Sequence, residues 1–370
     1  MPNKTANPAA NLLRKEWGAE IVHQFIGHFK KSYFAYASNE NIRENAASGG
    51  VATALLTYLL DSKQINGALV CRSIVNGGKI RPEFIIARDN ATLLSSQGSK
   101  YMAVDFTQDA LPLIKSFEGR LAVVLLPCDT STLRRVMAND PALGEKIALV
   151  ITLFCGHNSL PELTDMVIQK IKPKNSELAS FRHRKGHWRG NLAVEFDNGQ
   201  VIEKPFSYFS DYQNLYFFCQ QKCHHCFDHT GYNGDISVGD IWSLRMKEEP
   251  IKHSAVITRT PAGAKIFSDA VSAGAVIANE EPIAEICEGQ ARSMPFHYNV
   301  SARAKAGKLL GFKIKDSVYA KVRWNDFLVA WMALFNEKFS RSDTGRRIIA
   351  RTPRFVLKVL LYLMKGLESI

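Results

Sequence analysis

Two charge-free apolar runs, residues 121–126 without a break and 147–154 with Thr152 as its one polar residue, each stop at a cysteine, at Pro127-Cys128 in one and Cys155-Gly156 in the other, with a helical segment over 129–136 between them. Charge-free runs of this kind read as buried strands, and two buried strands bridged by a helix form a right-handed parallel unit. Parallel neighbours end on the same side of their sheet. Cys128 and Cys155 are therefore expected together in the crevice at the strand carboxyl ends, where open sheets place their ligands. The fold class that follows is α/β with mixed α+β character: a central sheet around this unit, a cysteine-bearing second region and a basic C-terminal helical module.

A chain of 370 residues that is 46% hydrophobic buries enough core to stand without disulfides or a structural metal. Residues 1–40 read as an amphipathic helical lead-in, with Leu12, Leu13, Trp17, Ile21, Phe25 and Ile26 near helical spacing before the aromatic residues Tyr33 to Tyr36. Residues 41–160 hold an apolar helical run at 51–60, a short strand at 67–71 and the parallel unit. Residues 161–300 are more mixed, with strands at 192–196 and 201–206 ahead of a cysteine-rich loop. Residues 301–370 form a basic helical tail. The start lacks the apolar core of a secretory signal, and no stretch is long and uncharged enough to span a bilayer, so a cytoplasmic protein is expected.

Seven cysteines in a reducing compartment point to metal or redox chemistry rather than a disulfide framework. Cys223-His-His-Cys226 is a tight pair whose two sulfurs can face one metal centre. Cys128 and Cys155 bring the count to four thiolates, the usual complement of a cubane iron-sulfur cluster. Zinc is the alternative, with His224, His225 and His229 as further ligands; the protein would then be a catalytically silent scaffold docking through its tail. Cys71 and Cys287 read as core residues, and Cys219 as a substitute ligand.

The net charge of +12 is concentrated in the tail, where 15 Lys and Arg face 5 Asp and Glu after residue 300. Without a helix-turn-helix, zinc-finger or base-stacking signature, nucleic acid is not the expected partner. The run at 355–367 suits a helix lying on an anionic membrane surface, a helix on a partner, or a core helix edged by basic stems.

Seven motifs in order between about residues 30 and 290 carry a resemblance. They are Ser48-Gly49-Gly50, Gln97-Gly98-Ser99-Lys100-Tyr101, Leu126-Pro127-Cys128, Phe154-Cys155-Gly156, Phe181-Arg182 with Trp188-Arg189-Gly190, Cys223-His224-His225-Cys226-Phe227-Asp228 and the octet from Asp235 to Trp242. The chain resembles the beta subunit of coenzyme F-420-reducing hydrogenases and dehydrogenases, flavin and iron-sulfur oxidoreductases. The resemblance implies a 4Fe-4S cluster on Cys128, Cys155, Cys223 and Cys226 with FAD beside it. It makes residues 41–160 the flavin-binding region and 161–300 the iron-sulfur and substrate part of one catalytic core. Glycines at a helix start let backbone N–H groups approach a pyrophosphate, so Ser48, Gly49, Gly50 and Thr53 are the phosphate candidates, with Ser99, Lys100 and Tyr101 as a second set. Asp240 is the candidate for orienting a flavin group or a cluster-side loop. Arg182, Arg184, Lys185 and Arg189 read as a solvated face or as contacts to an anionic cofactor or partner.

Two departures bear on the electron path. No cysteine precedes Cys71, whereas relatives often carry a ferredoxin-like segment, so electrons are expected from a separate ferredoxin-like or other redox protein, or directly from a reductant. Asp129 stands where relatives often have Gln, and the basic tail lies outside the family core. Coenzyme F-420 or another acceptor is thus the expected substrate, and some relatives are linked to surface polysaccharide synthesis. Peripheral contact with the inner membrane face is the expectation attached to the tail.

Overall fold

The parallel unit sits at the centre of an eight-stranded sheet in the computed structural model, which describes residues 24–187, 190–243, 246, 248–291 and 293–369. Its strands are β1 (Lys31–Ala37), β2 (Gly67–Asn76), β3 (Lys79–Ala87), β4 (Leu121–Leu125), β5 (Ile147–Leu153), β9 (Ile236–Asp240), β10 (Ser254–Thr258) and β11 (Val276–Glu280). The order is β11-β1-β10-β9-β5-β4-β2-β3. Strands β2, β4, β5 and β9 run parallel, and the outer pairings are antiparallel. Between β5 and β9 the chain leaves to build a small antiparallel sheet from β6 (Leu178–Lys185), β7 (Asn191–Phe196) and β8 (Val201–Pro205), then the cysteine turn.

Alternation along β5 explains why it is apolar apart from Thr152, whose hydroxyl pairs with that of Thr130. Leu149 and Ile151 pack under the helix Val51–Asp61 with Leu55 and Leu59, while Val150 points to the other face with Val123 and Leu133. A strand covered on both faces has no polar side to show. The helix after β4 begins at Pro127, which occupies a first-turn position where its missing N–H costs nothing, so Cys128 already lies in the helix rather than just before it.

The helical lead-in expected over 1–40 is corrected at its end: Tyr33 to Tyr36 lie in β1, an inner strand between β10 and β11. Aromatic residues suit a pleated, half-buried surface, and pairing with residues more than 200 positions away decides the conformation. Residues 1–23 of the lead-in, and Trp188 and Arg189, lie outside the described residues. The tail folds into helices Val300–Leu310, Trp324–Arg341, Asp343–Arg351 and Arg354–Ser369. They pack inward: Val329, Ala333, Ile349, Leu357 and Met364 share one core with Phe209, Leu215 and Phe218. No helix among the described residues is long and apolar enough to cross a membrane.

Candidate cofactor site: a cysteine quartet and an adjoining cleft

Because β4 and β5 are parallel, in register at Leu125 and Thr152, the chain delivers Cys128 and Cys155 to the same sheet edge. The crossover then returns to them. The short turn Gln221–His225 carries Cys223, and Cys226 closes it by donating its N–H to the Cys223 carbonyl at 3.1 Å. Cys155 is tied to the same loop, its N–H donating to the His229 carbonyl at 2.9 Å. The Cys155 thiol lies close enough to feel the charges of Cys223, Cys128 and Cys226.

Burial holds most of these thiols protonated in the metal-free protein. It pushes Cys128 and Cys155 upward and Cys226 up to about 12. Cys223 moves down instead, because of the neighbouring Cys219 thiol, and the Asn158 N–H also points at its sulfur at 3.4 Å. By distance and angle the Cys219 thiol donates to the Gln220 carbonyl at 3.6 Å. Thiolates are the ligand form, so a metal centre binding here displaces protons.

The histidines of the loop turn elsewhere. His224 is buried against the Phe296 and Phe312 rings, and His225 is exposed, its Nδ1 accepting from the Lys315 N–H at 3.4 Å. His229 contacts the Cys155 carbonyl and Gln290. Zn–S bonds near 2.3 Å require the sulfurs of a tetrahedral zinc site to lie within about 4 Å of one another. Among the described residues no three His, Cys, Asp or Glu side chains are grouped to hold a single ion. That holds for the cysteine quartet as well as for the neighbouring histidines.

At the same edge, the end of β9 opens into a narrow cleft lined by Ser48, Arg184, Asp240, Trp242, Lys252 and His253 among others. Arg184 reaches it from β6 and forms a largely buried ion pair with Asp240, its guanidinium 4.9 Å from the Trp242 ring centroid. Burial opposes the Arg184 charge, but Asp240 and Tyr101 more than offset it and the net shift is upward. The Lys252 ammonium donates to the carbonyls of Ala46 at 2.6 Å and Gly186 at 3.0 Å. Burial brings it down to about 8.

The cleft and the quartet are connected. Gln290 donates to the Asp240 carbonyl, while its Oε1 lies 3.0 Å from Nε2 of His229, whose Nδ1 lies 3.1 Å from the Cys155 carbonyl. Four residues thus span from the cleft wall at Asp240 to Cys155 through packed polar contacts.

Of the cofactor candidates, Ser48 and Asp240 line the cleft, and Tyr101 hydrogen-bonds both Arg184 and Ser99 beside it. Gly49 is dictated by packing: a Cβ there would lie 2.5 Å from the Ala35 carbonyl oxygen. Gly50 adopts φ +79 at the cap of the helix Val51–Asp61, whose start has no side-chain cap. Thr53 accepts from Gln97 at 3.3 Å. The Lys100 ammonium is folded back onto the carbonyls of Ser96, Gln97 and Gly98, closing its own loop. Lys252, His253 and Gln290 were not singled out by sequence reasoning; each is a lone polar residue without a motif.

Comparison with known proteins agrees with this architecture. Residues 32–108 match the family described as coenzyme F420 hydrogenase/dehydrogenase, beta subunit N-term, and residues 118–283 its C terminus. The coenzyme F420 hydrogenase subunit beta of Methanothermobacter thermautotrophicus is 28% identical over 274 residues, 71% of this chain and 88% of that protein. The coenzyme F420-dependent sulfite reductase of Methanocaldococcus jannaschii is 29% identical over 253 residues, 64% of this chain and 36% of that protein. A chain of the F420-reducing [NiFe] hydrogenase complex from Methanosarcina barkeri shares the fold with a TM-score of 0.58, at 20% identity, over 78% of this chain and 97% of that one.

Proposed function

Because the chain belongs to the coenzyme F420 hydrogenase/dehydrogenase beta subunit family, we propose that it is an electron-transferring oxidoreductase subunit holding a four-iron four-sulfur cluster on Cys128, Cys155, Cys223 and Cys226. FAD binds in the adjoining cleft, coenzyme F420 or a related acceptor meets it there, and a separate ferredoxin-like protein exchanges electrons at the cluster. The observation that supports the reading best is the meeting, at one sheet edge, of four thiols with a cleft whose wall reaches Cys155 through Gln290 and His229.

Bound FAD supplies the hydride and single-electron chemistry that no side chain provides. The chain's own residues hold and tune. Cys128 lies in the first turn of its helix, where its thiol donates to the Asp129 carboxylate at 3.5 Å. The Asn158 N–H donates to Cys223, and hydrogen bonds to sulfur of this kind raise a cluster's potential. Arg184 and Lys252 supply positive charge for a pyrophosphate or an anionic acceptor, and Asp240 fixes Arg184 against Trp242.

The test is anaerobic purification, flavin determination and a coenzyme F420 reduction assay with reduced ferredoxin or dithionite. Stoichiometric FAD and loss of the F420 absorbance support the reading. A flavin-free protein that neither takes up FAD nor turns over F420 removes it.

A further inference from the structure

Ten of the thirteen large apolar side chains that are exposed among the described residues lie after residue 300, in less than a fifth of the chain. We propose that this face of the C-terminal helices docks the protein on an anionic lipid surface. On the helix Arg354–Ser369, Leu357 and Met364 are buried in the core. The opposite side carries Phe355 (69% exposed), Val359 (62%), Tyr362 (74%) and Leu363 (53%). Positions i, i+4, i+7 and i+8 form one stripe, and a helix apolar all round is one that is covered on both sides. Trp324 (66%), Leu328 (36%) and Phe335 (41%) repeat the pattern on Trp324–Arg341. Asn325, near the start of that helix, donates to the Leu367 carbonyl at 2.8 Å, so the two helices run side by side in opposite directions.

Charge selects the occupant. Of the five acids after residue 300, Asp326, Glu337 and Glu368 are buried and paired with Arg323, Arg341 and Lys365. Ten Lys and Arg of the tail are exposed against one exposed acid, Asp343. Arg347, Arg351 and Lys358 are among those ten. A second copy of this chain would bring like charge against like charge. Lipid headgroups of negative sign match the cations, acyl chains match the stripe, and Trp and Tyr settle at the interface between them. Lying on the surface requires no spanning segment, consistent with the lengths of these helices.

The experiment is flotation of the full-length protein with vesicles of roughly 3:1 phosphatidylcholine and phosphatidylglycerol at low salt, against vesicles of phosphatidylcholine alone. Two exposed-residue variants accompany it, Phe355→Ser/Tyr362→Ser/Leu363→Ser and Arg347→Gln/Arg351→Gln/Lys358→Gln, each checked for an unchanged thermal melt. The wild type floats only with the anionic vesicles, and each variant loses about tenfold or more of that binding. Trp fluorescence shifts to the blue on binding, and the shift shrinks in Trp324→Phe. The proposal is overturned if the wild type stays with the soluble fraction, or if both variants float as well as it does. It is equally overturned if sedimentation shows the face consumed in a dimer that the apolar substitutions dissolve.

Discussion

Arg303 donates through Nη2 to the main-chain oxygen of Cys226 at 3.0 Å. The same buried guanidinium donates through Nε to the His224 carbonyl at 2.9 Å and also to the Phe296 carbonyl, with the Phe296 ring 4.0 Å away. The first tail helix therefore braces the cysteine turn, and the turn's conformation depends on a residue about 80 positions further along the chain. Arg303→Met leaves two buried carbonyls and the partly buried one of Cys226 without this donor. We expect a loss of roughly 3–5 kcal/mol in stability and reduced iron retention, read by urea melting and by iron content. Unchanged iron content would show that the turn holds its shape without the brace.

The ion pair of Arg184 and Asp240 is buried on the Arg184 side and half-buried on the other. Removing one partner of such a pair strands a charge, whereas removing both does not. Asp240→Asn is expected to lower both FAD retention and stability, the latter by about 2–4 kcal/mol. Arg184→Met/Asp240→Leu should cost less stability than the two single changes added together, while still losing flavin. A double-mutant cycle on denaturation, with FAD retention measured beside it, separates the two effects.

A pH dependence follows from Lys252, whose ammonium burial brings down to about 8 from 10.5, with Arg184 adding to the shift and Asp240 opposing it. Between these values the native state has released the proton while the unfolded chain still holds it. The residue's contribution to stability therefore rises with pH across that window. The cleft's positive charge falls over the same range, so FAD affinity should drop above about pH 8, by up to about tenfold per unit. Lys252→Met should bind FAD more weakly and with a flatter profile; a profile as steep as wild type's would assign the effect to another group.

Gly49 lies where a Cβ would stand 2.5 Å from the Ala35 carbonyl oxygen and 2.8 Å from the Ser254 nitrogen. Gly49→Ala must push β1 and β10 apart locally. A cost of about 1–3 kcal/mol is expected, together with disorder of the Ser48–Ser254 hydroxyl contact, which spans 2.8 Å. Chemical denaturation measures the first, and flavin content reports whether the cleft wall has moved.

The stretch from residue 121 to 155 was legible because its strands are buried on both faces and end abruptly at Pro127 and Cys155, so pattern and position agree locally. The meeting of Cys128 and Cys155 at one edge follows from that unit alone. β1 was not legible: its place between β10 and β11 depends on partners beyond residue 250, and Tyr33 to Tyr36 next to an amphipathic pattern read as its continuation. Nor does a sequence tell where a long side chain ends. Lys100 stands in a glycine-containing motif that suggested phosphate, and its ammonium closes its own loop instead. Lys252, Gln290 and Arg303 matter through contacts 50 or more positions away, for which no local spacing gives a signal.

The central claim is that four thiols cage iron, and metal analysis tests it most directly. Protein purified without oxygen should contain about four iron and four sulfide per chain, show a paramagnetic signal on reduction with dithionite, and lose both in Cys128→Ser and in Cys155→Ser. Stoichiometric zinc without iron, or an iron content indifferent to Cys155→Ser, would contradict it.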